Sequence, residues 1–247
     1  MNITYHKWHS SELGQEMELK VYGHAGKPML VFPTQEGRFF EFEDFGMIEI
    51  CQPFIEEGRL RIVTVDGIDG QCWTHPTASV PERVARYEAY ERYVMQEAIP
   101  FVRDLIHAPE AKFLVTGCSM GAYHAANFYF RHPDVFDALL AISGVYRLNL
   151  FIGDYMDQQV YYHTPLAYLP GLQDPHYLLD QYRQGQIIVS VGQGAWEDPM
   201  LEDTKNLKQI LDSKNVPAWI DIWGHDVDHD WPWWRKKMSY FLMHFKL

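Results

Sequence analysis

The stretch Lys112-Phe113-Leu114-Val115-Thr116-Gly117-Cys118-Ser119-Met120-Gly121 leads from an apolar, strand-like run into a Gly-x-Ser-x-Gly turn, and a helix-like segment, residues 122–129, follows it. A serine hydroxyl is a weak nucleophile, so it must be held on a tight turn that both a base and a substrate can reach. Gly117 and Gly121 lack Cβ atoms, which lets a strand and a helix approach closely around such a turn. The sequence therefore predicts that Ser119 is a nucleophile between a strand and a helix.

Cys118 is the rival nucleophile, because a thiolate is intrinsically more reactive than a hydroxyl. The register of the turn argues against it. Glycines stand two residues before and two residues after Ser119, whereas Thr116 and Met120 hold those positions around Cys118. We expect Cys118 to be a small buried side chain beside the turn.

Length and charge limit the class of protein. The 247 residues, of which 47% are hydrophobic, suffice for the core of one domain. The 21 basic and 33 acidic residues give a net charge of -12, and no stripe of lysine and arginine is present. We therefore expect neither nucleic acid nor a membrane as partner, while a homo-oligomer stays open.

The cysteines and the N-terminus indicate the compartment. Cys51, Cys72 and Cys118 are widely spaced and resemble neither a disulfide framework nor a metal motif. The first residues lack the basic start and apolar core of a secretory signal, and no run is apolar enough for long enough to span a membrane. We expect a cytoplasmic protein.

Short apolar runs alternate with helix-like segments along the chain. The continuous runs are residues 29–32, 62–65, 113–115, 138–142 and 187–191, and runs of alternating character are 17–21 and 218–223. The helix-like segments are residues 39–57, 82–106, 122–131, 200–213 and 231–245. Because continuous apolar runs are typical of parallel strands covered on both faces, we predict an α/β fold with a mostly parallel sheet and helices on both faces.

The segment from about residue 149 to 182 interrupts this alternation and is rich in Tyr, Asp, Gln, His and Pro. We expect residues 1–247 to form a single domain in which this segment makes short helices and loops over the sheet. Active-site loops gather at the carboxyl ends of parallel strands, so the segment is a candidate lid or substrate wall. A surface excursion that only packs on the sheet is the equally supported alternative.

A serine nucleophile needs a histidine base and usually a carboxylate that orients it, and one common chain order is serine, acid, histidine. The turn Gly192-Gln193-Gly194-Ala195-Trp196-Glu197-Asp198-Pro199 follows a predicted strand and carries two adjacent carboxylates. Asp198 is favoured as the acid, although a carboxylate before proline is also typical of a helix N-cap. Glu197, with its longer reach, is the alternative.

Two of the twelve histidines, His225 and His229, lie in the loop after the last predicted strand, where the base is expected. His229 is favoured because it precedes a Trp-rich helix start whose rings can fix its position and exclude water. The oxyanion of acyl transfer needs backbone donors as well. We expect the N–H of Met120 to be one and the N–H of Gln35, in the loop after an early strand, to be the other, with Thr34 as the runner-up.

Five His and Asp residues between positions 225 and 230 could be metal ligands. Adjacent residues cannot all converge on one ion, and no second ligand cluster is evident, so no metal is expected. The tryptophans that follow, Trp231, Trp233 and Trp234, either line an acyl or aryl pocket or pack within a helix.

Together these motifs resemble the Putative esterase family of α/β-hydrolases, which includes S-formylglutathione hydrolases, feruloyl esterases, enterochelin esterases and mycolyltransferases. The resemblance is carried by residues 117–121, by residues 192–199, and by His229-Asp230-Trp231 with Trp234. It implies a nucleophile at Ser119, a base at His229 and an acid in the turn after Gly192. The early loop differs from the His-Gly pattern of the family.

The expected function is that of a serine carboxylesterase that cleaves a small acyl ester through an acyl-enzyme, with no cofactor. A thioesterase, a lactonase or an acyltransferase would use the same residues. A catalytically inactive binding protein with the α/β-hydrolase fold is the alternative from another functional class.

Overall fold

The computed structural model describes residues 1–247, in which eight strands form one sheet. The strands are β1 (Ile3–Ser10), β2 (Gln15–Tyr22), β3 (Lys27–Phe32), β4 (Leu60–Val65), β5 (Phe113–Cys118), β6 (Phe136–Ile142), β7 (Gln186–Val191) and β8 (Trp219–Ile222). Their order across the sheet is β1-β2-β4-β3-β5-β6-β7-β8. The pairs β1/β2 and β2/β4 are antiparallel, and all other neighbours are parallel. The predicted mostly parallel sheet is confirmed.

Helices connect the strands. They are α1 (Glu41–Asp44), α2 (Met47–Glu56), α3 (Val80–Arg92), α4 (Ile99–Leu105), α5 (Met120–Arg131), α6 (Asn149–Ile152), α7 (Gln158–Tyr162), α8 (Pro165–Tyr168), α9 (Tyr177–Gln184), α10 (Asp198–Ser213) and α11 (Trp231–Leu242). A π-helical turn, Tyr93–Ala98, joins α3 to α4, and short 3-10 turns lie at Asp69–Gln71 and Leu169–Gly171. None of the helices has both the length and the apolar character that a membrane crossing requires.

The two faces of the sheet are buried in separate cores. Successive side chains of a strand point to opposite faces. In β3, Leu30 and Phe32 belong to the larger core, which contains side chains of α3, α4 and α5, whereas Met29 and Val31 belong to the smaller core under α2 and α11. Helices therefore cover both faces, which confirms the predicted α/β architecture.

The edge strand β1 is not predicted from the sequence. Its residues are alternately exposed and half-buried because the strand lies at the edge of the sheet, so it carries no continuous apolar run. The segment from about residue 149 to 182 contains α6 to α8, a 3-10 turn and the start of α9. Short helices joined by loops thus follow β6 and precede β7.

Candidate active site

Ser119 occupies a sharp turn between β5 and α5. Its φ of 56° and ψ of -123° lie where a non-glycine residue is rarely found. The flanking glycines make the turn sterically possible. A Cβ on Gly121 would lie 2.5 Å from the carbonyl oxygen of Phe32, and one on Gly117 would overlap the backbone of Gly121. Only glycine at both positions lets β3, β5 and α5 pack this closely around the serine.

His229 reaches Ser119 from the loop after β8. Its Nε2 lies 2.9 Å from the Ser119 Oγ. Two contacts hold the histidine: its backbone N–H donates to the carbonyl of Ala195 at 3.0 Å, and its ring packs edge-on against Trp234 with the ring centroids 4.9 Å apart. His225, the alternative base, is exposed in the same loop. The structure therefore brings His229 to the serine.

Glu197 is the carboxylate that contacts His229. Its Oε2 lies 3.3 Å from the His229 Nδ1, and the residue is 0% exposed. Its Oε1 accepts a 2.6 Å hydrogen bond from the Ser143 hydroxyl and a 3.3 Å bond from the Gly192 N–H. Burial acts to raise the pKa of Glu197, but the hydrogen bonds from His229 and Ser143 outweigh it and hold the pKa below its ordinary value. The carboxylate is thus kept ionised beside the imidazole.

This contact corrects the preference for Asp198 as the acid. Asp198 is exposed and is the first residue of α10, where its charge interacts favourably with the helix dipole. Two residues before Asp198, Trp196 has a left-handed φ of 68°. That backbone turn places the side chain of Glu197 in the interior while Asp198 faces solvent.

The N–H groups of Met120, Gln35 and Thr34, the candidate oxyanion donors, differ in whether they already have a hydrogen-bond partner. Met120 is the first residue of α5, so its N–H has no intrahelical partner. In the loop after β3, the Thr34 N–H donates to the Glu41 Oε2 at 2.8 Å. The Gln35 N–H makes no hydrogen bond in the structure. Thr34, the runner-up, is therefore engaged, whereas Gln35 has a free donor.

A cavity of about 290 Å³ opens beside Ser119. Its lining residues are Gln35, Ser119, Met120, Val145, Leu150, Phe151 and Met200. Leu150 and Phe151 belong to α6, in the segment from about residue 149 to 182. The tryptophans considered as possible pocket walls do not line this cavity. Trp231 stacks on Phe45 with a centroid distance of 4.4 Å, and Trp234 packs on His229.

The charged residues around His229 point in different directions. The Asp228 Oδ1 accepts the Ala195 N–H at 2.7 Å, and the Asp230 Oδ1 accepts the Trp231 N–H at 2.7 Å at the start of α11. Nowhere in the chain do three or more His, Cys, Asp or Glu side chains come together as ligands for a metal ion.

Two residues near this site escaped the sequence analysis. Ser143 has a left-handed φ of 55° directly after β6, and the only hint of its role is that position at a strand's carboxyl end. Lys237 lies in α11, where a lysine is expected to face solvent, yet it is fully buried and its Nζ has no hydrogen-bond partner. Burial lowers the pKa of Lys237 to about 8, although the charge of Glu197 acts to raise it.

One family model and several solved structures match nearly the whole chain. The model of the family described as Putative esterase matches residues 10–245. A search of curated proteins finds no match. Among solved structures, the chain is similar to a ferulic acid esterase, with 16% identity, a TM-score of 0.76, and 98% of this chain and 95% of that chain covered.

Two S-formylglutathione hydrolases are similar as well. The enzyme from Staphylococcus aureus has 17% identity and a TM-score of 0.71, with 98% of this chain and 96% of that chain covered. The enzyme from Agrobacterium tumefaciens has 16% identity and a TM-score of 0.72, with 98% and 93% covered. At these identities the structural likeness shows the α/β-hydrolase fold alone. The match to the family model over nearly the whole length shows the family. The chain belongs to the Putative esterase family and is an esterase.

Proposed function

We propose that Ser119, His229 and Glu197 form a catalytic triad that hydrolyses small carboxylic esters through an acyl-enzyme. The observation that carries this proposal is the chain of two hydrogen bonds from the Ser119 Oγ through the His229 imidazole to the buried Glu197 carboxylate, 2.9 Å and 3.3 Å long. Such a chain can deprotonate the hydroxyl as it attacks and stabilise the imidazolium that forms.

The acylation half of the reaction begins when the Ser119 Oγ bonds to the ester carbonyl carbon and its proton moves to the His229 Nε2. The carbonyl oxygen becomes an oxyanion that the N–H groups of Met120 and Gln35 bind. When the intermediate collapses, the bond to the alcohol oxygen breaks, and the imidazolium returns its proton to that oxygen. The acyl group stays on Ser119, and the alcohol leaves.

Deacylation repeats these steps with water. His229 takes a proton from a water molecule as the water oxygen attacks the acyl carbon. When the second tetrahedral intermediate collapses, the bond to the Ser119 Oγ breaks, the imidazolium returns its proton to that oxygen, and the carboxylic acid leaves. Glu197 stays ionised throughout, which agrees with the direction of its pKa shift.

The cavity supports a small, apolar acyl group as the substrate portion that it holds. Val145, Leu150, Phe151 and Met200 supply apolar walls to a volume of about 290 Å³. That volume lies at the lower end of the range of roughly 300–1,000 Å³ that is usual for ligand sites. We infer that the segment from about residue 149 to 182 acts as a substrate wall through α6.

A panel of p-nitrophenyl esters from acetyl to decanoyl tests this proposal, with a thioester, a lactone and an added alcohol acceptor as further arms. We expect hydrolysis of the short esters and labelling of Ser119 by a fluorophosphonate. Faster thioester or lactone turnover, or acyl transfer to the alcohol, would reassign the activity within the same triad. If the folded protein hydrolyses none of these substrates and is not labelled by the fluorophosphonate, the result would support an inactive binding protein instead.

A cytoplasmic location is proposed with this activity. Its support is the state of Cys51, Cys72 and Cys118, all of which are free and buried. A chain that keeps three reduced thiols is suited to a reducing compartment. Fractionation of cells that express the protein tests the location. The mass of the recovered protein is compared with the mass calculated from the sequence, to detect any cleavage during export.

A further inference from the structure

A second group of buried, hydrogen-bonded side chains consists of His124 in α5, Asp69 and Tyr87, and it takes no part in the steps above. His124 lies five residues after Ser119 in this helix. Its Nε2 is 3.0 Å from the Asp69 Oδ1, and its Nδ1 is 3.0 Å from the Tyr87 hydroxyl. The side chains of His124 and Asp69 are 4% and 2% exposed. A carboxylate is costly to bury unless its oxygens are hydrogen-bonded, so the partners of the second Asp69 oxygen matter.

That second oxygen binds the loop after β3. The Asp69 Oδ2 accepts the backbone N–H of Glu36 at 3.3 Å. Glu36 directly follows Gln35 and has a left-handed φ of 58°, a conformation that a residue other than glycine keeps only when its surroundings hold it. The Thr74 hydroxyl holds the same residue by donating to the Glu36 Oε1 at 2.9 Å.

We propose that Asp69 is a positioning residue for the oxyanion hole. Its two oxygens join the helix that begins with the Met120 N–H to the loop that carries the Gln35 N–H. This inference rests on the proposed function, because it assigns Asp69 to the two donors that would bind the oxyanion. Asp69 sets the separation of these donors by bonding His124 on one side and Glu36 on the other.

The chemistry of a carboxylate explains why aspartate suits this position. Both of its oxygens accept, so one can face the His124 N–H and the other the Glu36 N–H. Asparagine has the same shape, but it has only one accepting oxygen, which can serve only one of these two donors. The Glu41 carboxylate holds the loop at Thr34, and Asp69 holds it at Glu36, on the other side of Gln35. Loss of Asp69 removes the hydrogen bond to the Glu36 backbone and leaves only the side-chain bond to Thr74 at this residue.

The experiment compares Asp69→Asn with Tyr87→Phe, a matched control that removes the hydroxyl at the far end of the same network and leaves both Asp69 contacts. For Asp69→Asn we expect kcat for a short p-nitrophenyl ester to fall about 10- to 100-fold, with KM within about threefold, since an oxyanion donor acts mainly in the transition state. A trifluoromethyl ketone that forms a tetrahedral adduct should bind more weakly by a similar factor. Tyr87→Phe should keep kcat within about threefold.

Amide hydrogen exchange of the loop, residues 34–39, is a readout that needs no activity. In Asp69→Asn this segment should exchange at least about tenfold faster while β5 keeps its protection. His124→Gln, which keeps a donor for Asp69 but loses the fixed imidazole, should show the same changes at smaller amplitude, and it replaces Asp69→Asn if that variant does not fold.

Unchanged kcat and unchanged loop exchange in a folded variant would overturn the positioning role, as would equal losses in Tyr87→Phe. These results are separable from failure of the proposed function. In that case the wild-type protein itself would lack ester turnover, and Ser119→Ala would change nothing.

Discussion

The buried carboxylate of Glu197 lies 3.3 Å from Nδ1 of His229, with the two residues held by different loops that meet only in the folded sheet. The loop after β7 carries Glu197, and the loop after β8 carries His229. The same two loops bond to each other through the His229 N–H and the Ala195 carbonyl. The orientation of the imidazole is therefore a property of the sheet and not of one local motif.

Substitution of Glu197 and of Asp198 gives a matched test of which carboxylate acts. We expect Glu197→Gln to lower kcat by about 10² to 10⁴, because a neutral amide neither fixes the tautomer nor stabilises the imidazolium. Asp198→Asn should stay within about threefold of wild type, since this side chain is exposed. Steady-state ester hydrolysis measures both. The opposite ranking would return the acid role to Asp198.

Ser119→Ala and His229→Ala should each lower kcat by about 10⁴ or more, and the double variant should lose little beyond either single one because the residues act as a unit. Cys118→Ala is the control. Burial raises the pKa of Cys118 well above its ordinary value, so its thiolate is disfavoured, and this variant should retain activity within a few fold. Loss of activity in Cys118→Ala with retention in Ser119→Ala would make the cysteine the nucleophile.

Gly121→Ala tests the close packing at the turn. A Cβ there would lie 2.5 Å from the Phe32 carbonyl oxygen, whereas a Cβ on Gly70 would have no neighbour within 4 Å. We expect Gly121→Ala to lower the melting temperature by about 3 to 10 °C and Gly70→Ala to leave it nearly unchanged. Calorimetry measures both. A Gly121→Ala protein as stable and active as wild type would contradict the close approach of α5 to β3.

Lys237→Met tests the buried ammonium. Because burial lowers the pKa of Lys237 from 10.5 to about 8, the unfolded chain binds more protons than the folded one between these pH values, and stability from this group rises with pH across that window. At pH 7 Lys237 is protonated in both states, and burying its charge destabilises the folded state by about 3 kcal/mol. Lys237→Met should therefore be more stable than wild type by up to about 3 kcal/mol at pH 7. This difference in the free energy of unfolding between Lys237→Met and wild type should become smaller towards pH 10.

Urea denaturation at several pH values, analysed as the difference between wild type and Lys237→Met, isolates this group from other titrations. A variant that is less stable than wild type at pH 7 would mean that the attraction between Lys237 and Glu197 exceeds the cost of burying the ammonium.

Phe151→Ala tests the wall that α6 gives to the cavity. Removing the ring enlarges the space beside Ser119, so the ratio of kcat/KM for an octanoyl ester to that for an acetyl ester should rise about tenfold. Tyr177→Ala is the control from the same segment, since Tyr177 is 67% exposed and does not line the cavity. An equal shift in both variants would assign the effect to the segment as a whole.

Most of the fold could be predicted because its strands are buried on both faces. β3, β5 and β6 are continuous apolar runs in the sequence, and each lies inside the sheet. β1 could not be predicted in this way, because an edge strand with half-exposed side chains lacks that pattern. Local composition therefore predicts the sheet interior better than its edge.

The site was only partly predictable, and for a different reason. Ser119 has a local pattern of glycines, and His229 is marked by its place after the last strand. The choice between Glu197 and Asp198 depends on the left-handed backbone at Trp196, which no propensity predicts for a tryptophan. Asp69 lies far from the nucleophile in sequence, so its bond to His124 appears only once β4 and α5 are folded together.

Mass spectrometry of a rapidly quenched reaction with p-nitrophenyl acetate shows whether the acyl group of the ester is carried on the Ser119 oxygen. We expect a burst of p-nitrophenol matched by an added acetyl mass on the peptide that contains Ser119. This mass should be absent from Ser119→Ala and should persist longer in Glu197→Gln. Turnover at the normal rate with no acetyl group on that peptide, or with the group on another residue, would contradict an acyl-enzyme on Ser119.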